Sequence, residues 1–230
     1  MAYRNLFFDL DDTLWNCSEN ARDTFHLMYD KHDYRRFFDS FDQFYTIYHK
    51  RNVELWEEYG RGDITKDELN RLRFLHPLEA VGHGDAELAR TFSEDFFTVI
   101  PTRQKLMPHA REVLEYLRPR YRLFILSNGF RELQCRKMQS GGIDGFFEKV
   151  VLSDDLGLLK PRPELFYFAM SATQSQIRES LMIGDSWAND IIGARGVGMH
   201  QVYYNVVGKT DFSFKPTYLI TDLRQLMEIL

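Results

Sequence analysis

The sequence predicts an α/β protein: a doubly wound parallel sheet with an all-helical domain inserted after its first strand. Short apolar runs ending in small or acidic residues recur at 4–9, 121–127, 149–153, 180–185 and 199–204, the texture of strands buried on both faces. Helical stretches at 108–118, 130–139, 163–172 and 188–195 separate most of them, and the Gly196-Val197-Gly198 turn ends the last. Between the first two runs lie about a hundred residues of helical periodicity, far more than one crossover requires. The domains are therefore 1–15 with 101–230 for the sheet-bearing core and 16–100 for the helical insertion.

The first strand, Leu6-Phe7-Phe8, closes in Asp9-Leu10-Asp11-Asp12-Thr13. Residues two apart in an extended segment project to one side, so Asp9 and Asp11 are expected to face one pocket at the carboxyl edge of the sheet, where open α/β sheets bind ligands. That pair suits phosphoryl transfer: one carboxylate attacks phosphorus, the other serves as general acid and then base, and Thr13 holds a phosphate oxygen. A calcium loop or an acidic turn fits the same five residues taken alone. Asp12 reads as a turn residue pointing away.

In the insertion, Tyr34, Phe37, Phe38, Phe41, Phe44, Tyr45 and Tyr48 recur at helical spacing, which predicts one face of one helix. The stripe reads as the insertion's core, with a base-stacking wall as the alternative.

The later strand ends supply what the first motif needs. The second closes in Ser127, followed by Asn128-Gly129 at a helix start, where the Ser127 hydroxyl and the backbone N–H groups from Asn128 onward can bind a phosphate oxygen; an ordinary helix start reads the same way. Lys160, between Leu159 and Pro161, can neutralise a nucleophile and a phosphoryl group, although a loop lysine is usually solvated. Arg162 reads as surface. Asp185 ends the fourth strand and suits an oxygen-rich Mg²⁺ site, while Asp190 either orients Lys160 or a metal-bound water or simply favours a helix N-terminus.

Composition excludes several classes. The 230 residues suffice for a real core, and 29 basic against 34 acidic residues, a net charge of -5, argue against a nucleic-acid polymer as partner. Cys17 and Cys135 lie too far apart in sequence to suggest a metal motif or a disulfide framework. No apolar stretch is long enough to span a bilayer and no signal-peptide pattern opens the chain, so no membrane partner and a cytoplasmic location are expected.

Taken together and in this order, Asp9-x-Asp11-x-Thr13, Ser127, Lys160 before Pro161, and Gly184-Asp185 with Asp190 resemble the haloacid dehalogenase superfamily of phosphatases, over the whole chain and with an insertion where that superfamily carries a helical cap. The resemblance implies a Rossmann-like core with sheet order 5-4-1-2-3, Mg²⁺ held by Asp9, the Asp11 carbonyl and Asp185, and nucleophile and acid/base on Asp9 and Asp11. More narrowly, Thr13-Leu14-Trp15, the segment from Gly62 to Leu69 with Arg73-Phe74, and Tyr204-Asn205 are similar to bacterial pyrimidine 5′-nucleotidases, with Asp12 and Asn16 departing from the histidine and aspartate common there. That narrower likeness implies a small phosphorylated metabolite as partner, a nucleoside monophosphate first, and puts Trp15, where core meets cap, either against the base or in a hinge. A phosphomutase would keep the same core. A dehalogenase needs no acid/base where Asp11 stands, and a dead-site relative is expected to lack one of Asp9, Asp11, Lys160 or Asp185, all of which are present.

Overall fold

The computed structural model describes residues 3–230, which form two compact units: Ser18–Arg103, and the chain up to Cys17 joined to Gln104–Leu230. In the first, helices α1 (Cys17–Lys31), α2 (Phe41–Arg61), α3 (Lys66–Ala80) and α4 (Ala86–Val99) follow one another, each boundary set by a local signal. Ser40 caps α2 by accepting from the Gln43 N–H, and Gly62 ends it in the left-handed region at φ 81. Thr65 and Glu68 form a reciprocal capping box at the start of α3, and the Asp85 carboxylate accepts from two N–H groups of α4.

The aromatic stripe differs from the single helix the spacing predicts. Tyr34 lies in a separate 3₁₀ turn, Phe37 and Phe38 in the connection, and a continuous helix begins only at Phe41, because Ser40 is a better cap than an interior residue. Tyr34, Phe38, Phe41, Phe44 and Tyr48 are all buried, and with Phe25, Phe74, Phe92 and Phe96 they build the unit's core; Phe25 sits 4.4 Å from Phe96 and Tyr34 4.6 Å from Phe92, centroid to centroid. These side chains are a core and not an open wall.

The second unit is a parallel sheet of strands β1 (Asn5–Phe8), β2 (Arg122–Ser127), β3 (Lys149–Leu152), β4 (Ser180–Gly184), β5 (His200–Tyr204) and β6 (Tyr218–Ile220), in the order β3-β2-β1-β4-β5-β6. Within it lies the order 5-4-1-2-3; the edge strand β6 is too short to leave a pattern in the sequence. Helices α5 (Ala110–Leu117), α6 (Arg131–Ser140), α7 (Pro163–Thr173), α8 (Ile192–Gly196) and α9 (Leu226–Ile229) complete the unit. Four buried residues of α5, Ala110, Val113, Leu114 and Leu117, recur at the spacing of one helical face. Phe7 and Phe124 stack at 4.9 Å in a cluster with Leu165, Phe166 and Met182, and Gly193 of α8 leaves room for the Phe166 ring.

Helix α8 is shorter than the sequence predicts: a π-helical turn over Trp187–Ile191 precedes it. Such turns are rare and gather at functional sites.

Candidate active site

β1 lies between β2 and β4, the point where the winding of the sheet reverses. Ser127 ends β2, Asp9 follows β1 and Asp185 follows β4, so three chemical groups reach one edge from neighbouring strands. The Asp9 N–H donates to the Ile183 carbonyl at 2.9 Å, carrying the β1–β4 ladder one residue beyond the strand.

Lys160 is the organising cation. Its Nζ, in a side chain only 2% exposed, donates to Asp9 Oδ1 at 2.7 Å, to Asp190 Oδ1 at 2.6 Å and to the Leu126 carbonyl at 2.7 Å. Its backbone is held by Asn128, whose Oδ1 accepts from the Lys160 N–H at 2.7 Å and whose Nδ2 donates to the Lys160 carbonyl at 3.0 Å. Burial works against the ammonium, but Asp190 and Asp9 outweigh it and hold the Lys160 pKa above the ordinary lysine value. This lysine is therefore not the solvated loop residue that its sequence context allows.

Asp190 is fully buried and accepts from the Ser186 N–H at 3.0 Å as well as from Lys160. The π-helical turn folds it back against β4, and Gly184 makes this feasible: a Cβ there would overlap the Asp190 carboxyl group. One carboxylate oxygen each of Asp9, Asp185 and Asp190 lie within 4.8 Å of one another. Burial first, then Asp190 against the counteracting Lys160, pushes Asp9 up to about 7; burial, Asp9 and Asp190 push Asp185 up to about 8. Lys160 pairs with Asp9 and Asp190 while Asp185 stands beside them, so three clustered carboxylates face one lysine, and this all-oxygen donor set fits a hard divalent cation.

Thr13 differs from its expected place on a phosphate oxygen. It is fully buried, its hydroxyl donates to Asp185 Oδ1 at 2.9 Å and accepts from the Asp185 N–H at 3.0 Å, so it fixes the orientation of that carboxylate. The Asn128 side chain likewise serves the Lys160 loop, which leaves only its backbone for a phosphate. Ser127 Oγ accepts from Gln134 Nε2 at 2.8 Å and from the Gly129 N–H at 3.4 Å, so its own proton points elsewhere.

Asp11 is not the second half of an extended pair. The strand stops at Phe8, and the chain turns through Asp12, at φ 57, with the Leu14 and Trp15 N–H groups both donating to the Leu10 carbonyl at 2.9 Å. The turn aims Asp11 at α6: Lys137 Nζ donates to its Oδ1 and Gln134 Nε2 to its Oδ2, at 2.8 and 2.9 Å. Neither partner belongs to a motif in the sequence. Their signal was two polar residues, spaced three apart, on the buried face of a helix where apolar ones belong; Gln134, Lys137 and Met138 are the buried residues of α6. Of the two roles expected for Trp15, its full burial with the Lys137 ammonium 4.7 Å from its ring centroid agrees with packing and not with a face open to a base.

Fold and site together define the class. The chain belongs to the haloacid dehalogenase-like hydrolases, whose family model matches residues 3–198. Its relatives include the pyrimidine 5′-nucleotidase YjjG of Escherichia coli, 27% identical over 100% of this chain and 99% of that protein, and a glyceraldehyde 3-phosphate phosphatase of Pyrococcus furiosus, 32% identical over 98% and 92%. A magnesium-bound crystal structure of the HAD-hydrolase YfnB from Bacillus subtilis superposes with a TM-score of 0.88 at 26% identity, covering 100% of this chain and 99% of that one. No helix among the described residues is long and apolar enough to cross a membrane.

Proposed function

We propose that this protein is a Mg²⁺-dependent phosphomonoester hydrolase working through an aspartyl-phosphate on Asp9. The observation that carries the reading is the buried Lys160 ammonium bridging Asp9 and Asp190 beside Asp185. Asp9 attacks phosphorus while Asp11 donates a proton to the departing alcohol oxygen. Asp11 then takes a proton from water as that water attacks the aspartyl-phosphate, which releases inorganic phosphate and frees Asp9. Lys160, the Ser127 hydroxyl and the Asn128 backbone N–H hold the phosphoryl oxygens, and Thr13 acts by orienting Asp185. Asp9, Asp185 and the Asp11 carbonyl would hold Mg²⁺, which supplies compensation for the charge on the transferring group.

A nucleoside 5′-monophosphate, pyrimidine first, is the proposed substrate, supported by the whole-length similarity to the nucleotidase YjjG, and the helical unit is proposed as the cap that selects the leaving group. The similarity to a glyceraldehyde 3-phosphate phosphatase favours a second reading, a small sugar phosphate. A phosphate-release screen over nucleotides, sugar phosphates and phosphoacids, with Mg²⁺ and with chelator, tests both. Asp9→Asn is expected to keep the fold and lose turnover, since an amide of nearly the same shape cannot form the acyl phosphate. Turnover at the wild-type rate in that variant, or radiolabelled phosphate trapped on another residue, would overturn the assignment, and phosphate returned to a sugar in place of water would identify a mutase.

A further inference from the structure

Helix α6 contributes two side chains to Asp11 that no motif contains. Gln134 Nε2 donates to Asp11 Oδ2 at 2.9 Å and to Ser127 Oγ at 2.8 Å, so one amide joins the loop after β1 to the end of β2. A carboxylate and a hydroxyl on one side of the amide fix which end carries the nitrogen. The Gln134 Oε1 is then left buried with no hydrogen-bond partner among the described residues, and the residue is fully buried. An apolar side chain at this core position would leave no such acceptor unsatisfied, which ties the glutamine to its two acceptors and not to packing. Gly129 is shaped for the same contact, because a Cβ there would overlap the Gln134 amide.

One turn along α6, Lys137 Nζ donates to Asp11 Oδ1 at 2.8 Å over the face of Trp15, in a side chain 9% exposed. The two donors stand three residues apart on one helix face and take one carboxylate oxygen each. A rigid helix thus fixes both the position and the plane of the Asp11 carboxyl group.

We propose that Gln134 and Lys137 are positioning residues for the proton transfer at Asp11, holding its carboxyl group in register with the phosphate-binding hydroxyl of Ser127. The proposal rests on the reading of Asp11 as the acid/base. Its signature is dependence on the leaving group: misplacing the proton donor slows the departure of a basic alkoxide and leaves departure of a stable phenolate nearly untouched.

The experiment measures kcat/KM with Mg²⁺ for dinitrophenyl, nitrophenyl and phenyl phosphates and for β-glycerophosphate, in wild type, Asp11→Asn, Lys137→Met, Lys137→Arg and Gln134→Met. kcat/KM reports formation of the aspartyl-phosphate alone, free of its later hydrolysis. Lys137→Met and Gln134→Met are expected to lose about ten- to a hundredfold on β-glycerophosphate, as happens when partners behind a functional ligand are removed, and little on dinitrophenyl phosphate. Lys137→Arg is expected to recover most of the loss because it keeps a donor on Asp11. Circular dichroism checks each fold, and Gly129→Ala, which displaces Gln134 from outside the helix, provides the second arm if Gln134→Met does not fold. An equal loss on every substrate, or no loss, in the α6 variants while Asp11→Asn shows the leaving-group dependence would overturn the positioning role and leave the acid/base reading standing. Asp11→Asn without that dependence would overturn both.

Discussion

Removing divalent cations should make the stability of this protein fall as pH rises through neutrality, and Mg²⁺ should offset much of the fall. Asp9 moves from 3.8 to about 7 and Asp185 from 3.8 to about 8, with burial the largest cause for each. Between the unfolded value and these folded ones, the native state holds protons that the unfolded chain has already released. Stability is therefore highest near the unfolded pKa, declines as pH rises toward about 7 to 8, and levels off above, where both states are ionised. At ~1.4 kcal/mol per pKa unit, the rise of Asp9 from 3.8 to about 7 sets a scale of ~4 kcal/mol, and that of Asp185 adds to it. Mg²⁺ at a hundredfold its dissociation constant returns ~2.7 kcal/mol. Urea midpoints from about pH 5 to pH 9, with EDTA and with Mg²⁺, measure both effects. Asp185→Asn, which keeps an acceptor for Thr13, should be more stable than wild type in EDTA at high pH and indifferent to Mg²⁺. Apo stability that stays level or rises across that range, or an Asp185→Asn variant that Mg²⁺ still stabilises, would refute the argument.

Three other outcomes follow from the same contacts. Lys160→Met leaves Asp9 and Asp190 buried together without their shared cation, which should cost ~3–5 kcal/mol at neutral pH and stop turnover, with the stability deficit shrinking in acid; urea unfolding at two pH values checks it. Gly184→Ala puts a Cβ into the Asp190 carboxyl group, so phosphatase activity should collapse with Asp9 and Lys160 unaltered in sequence, and an unchanged kcat/KM would mean that the loop relaxes without loss. Trp15→Ala removes a fully buried ring and should cost ~3–5 kcal/mol while lowering kcat/KM for uridine 5′-monophosphate and glucose 6-phosphate by the same factor; a selective loss on the nucleotide would restore a base-binding role.

The strands of this fold were legible because burial on both faces leaves unbroken apolar runs, as in Leu123-Phe124-Ile125-Leu126, and because each run ends in a polar residue at the carboxyl edge of the sheet. What the sequence could not convey was geometry that depends on a few dihedral angles. Asp11 sits two residues after Asp9, but the left-handed Asp12 and the bonds back to Leu10 turn it from the strand direction toward α6. Asp190 lies five positions after Asp185, and only a π-helical turn, which has no periodic signature, carries the second carboxylate back to Lys160. The single long helix expected through Tyr34 and Phe37 failed for a related reason: side-chain capping at Ser40 overrides an aromatic spacing that continues across the break.

The residues that suggested a substrate turn out to have local structural work. Gly62 terminates α2, Thr65 and Glu68 cap α3, and the Asn205 side chain holds a loop by accepting from the Lys209 N–H and donating to its carbonyl, both at 2.8 Å. Trp15 lies beneath Lys137. A helix-loop-helix of fixed length and a pinned loop are needed by any member of a family that shares this backbone, whatever its leaving group. Likeness at these positions therefore speaks for common architecture, and the proposed choice of a nucleotide rests on whole-chain similarity to a nucleotidase. The core motifs are different in kind. A lysine buried among carboxylates, a glycine that admits an aspartate and a glutamine holding an unsatisfied oxygen are costly to fold, and the chemistry proposed for Asp9 and Asp11 gives a reason for keeping them together.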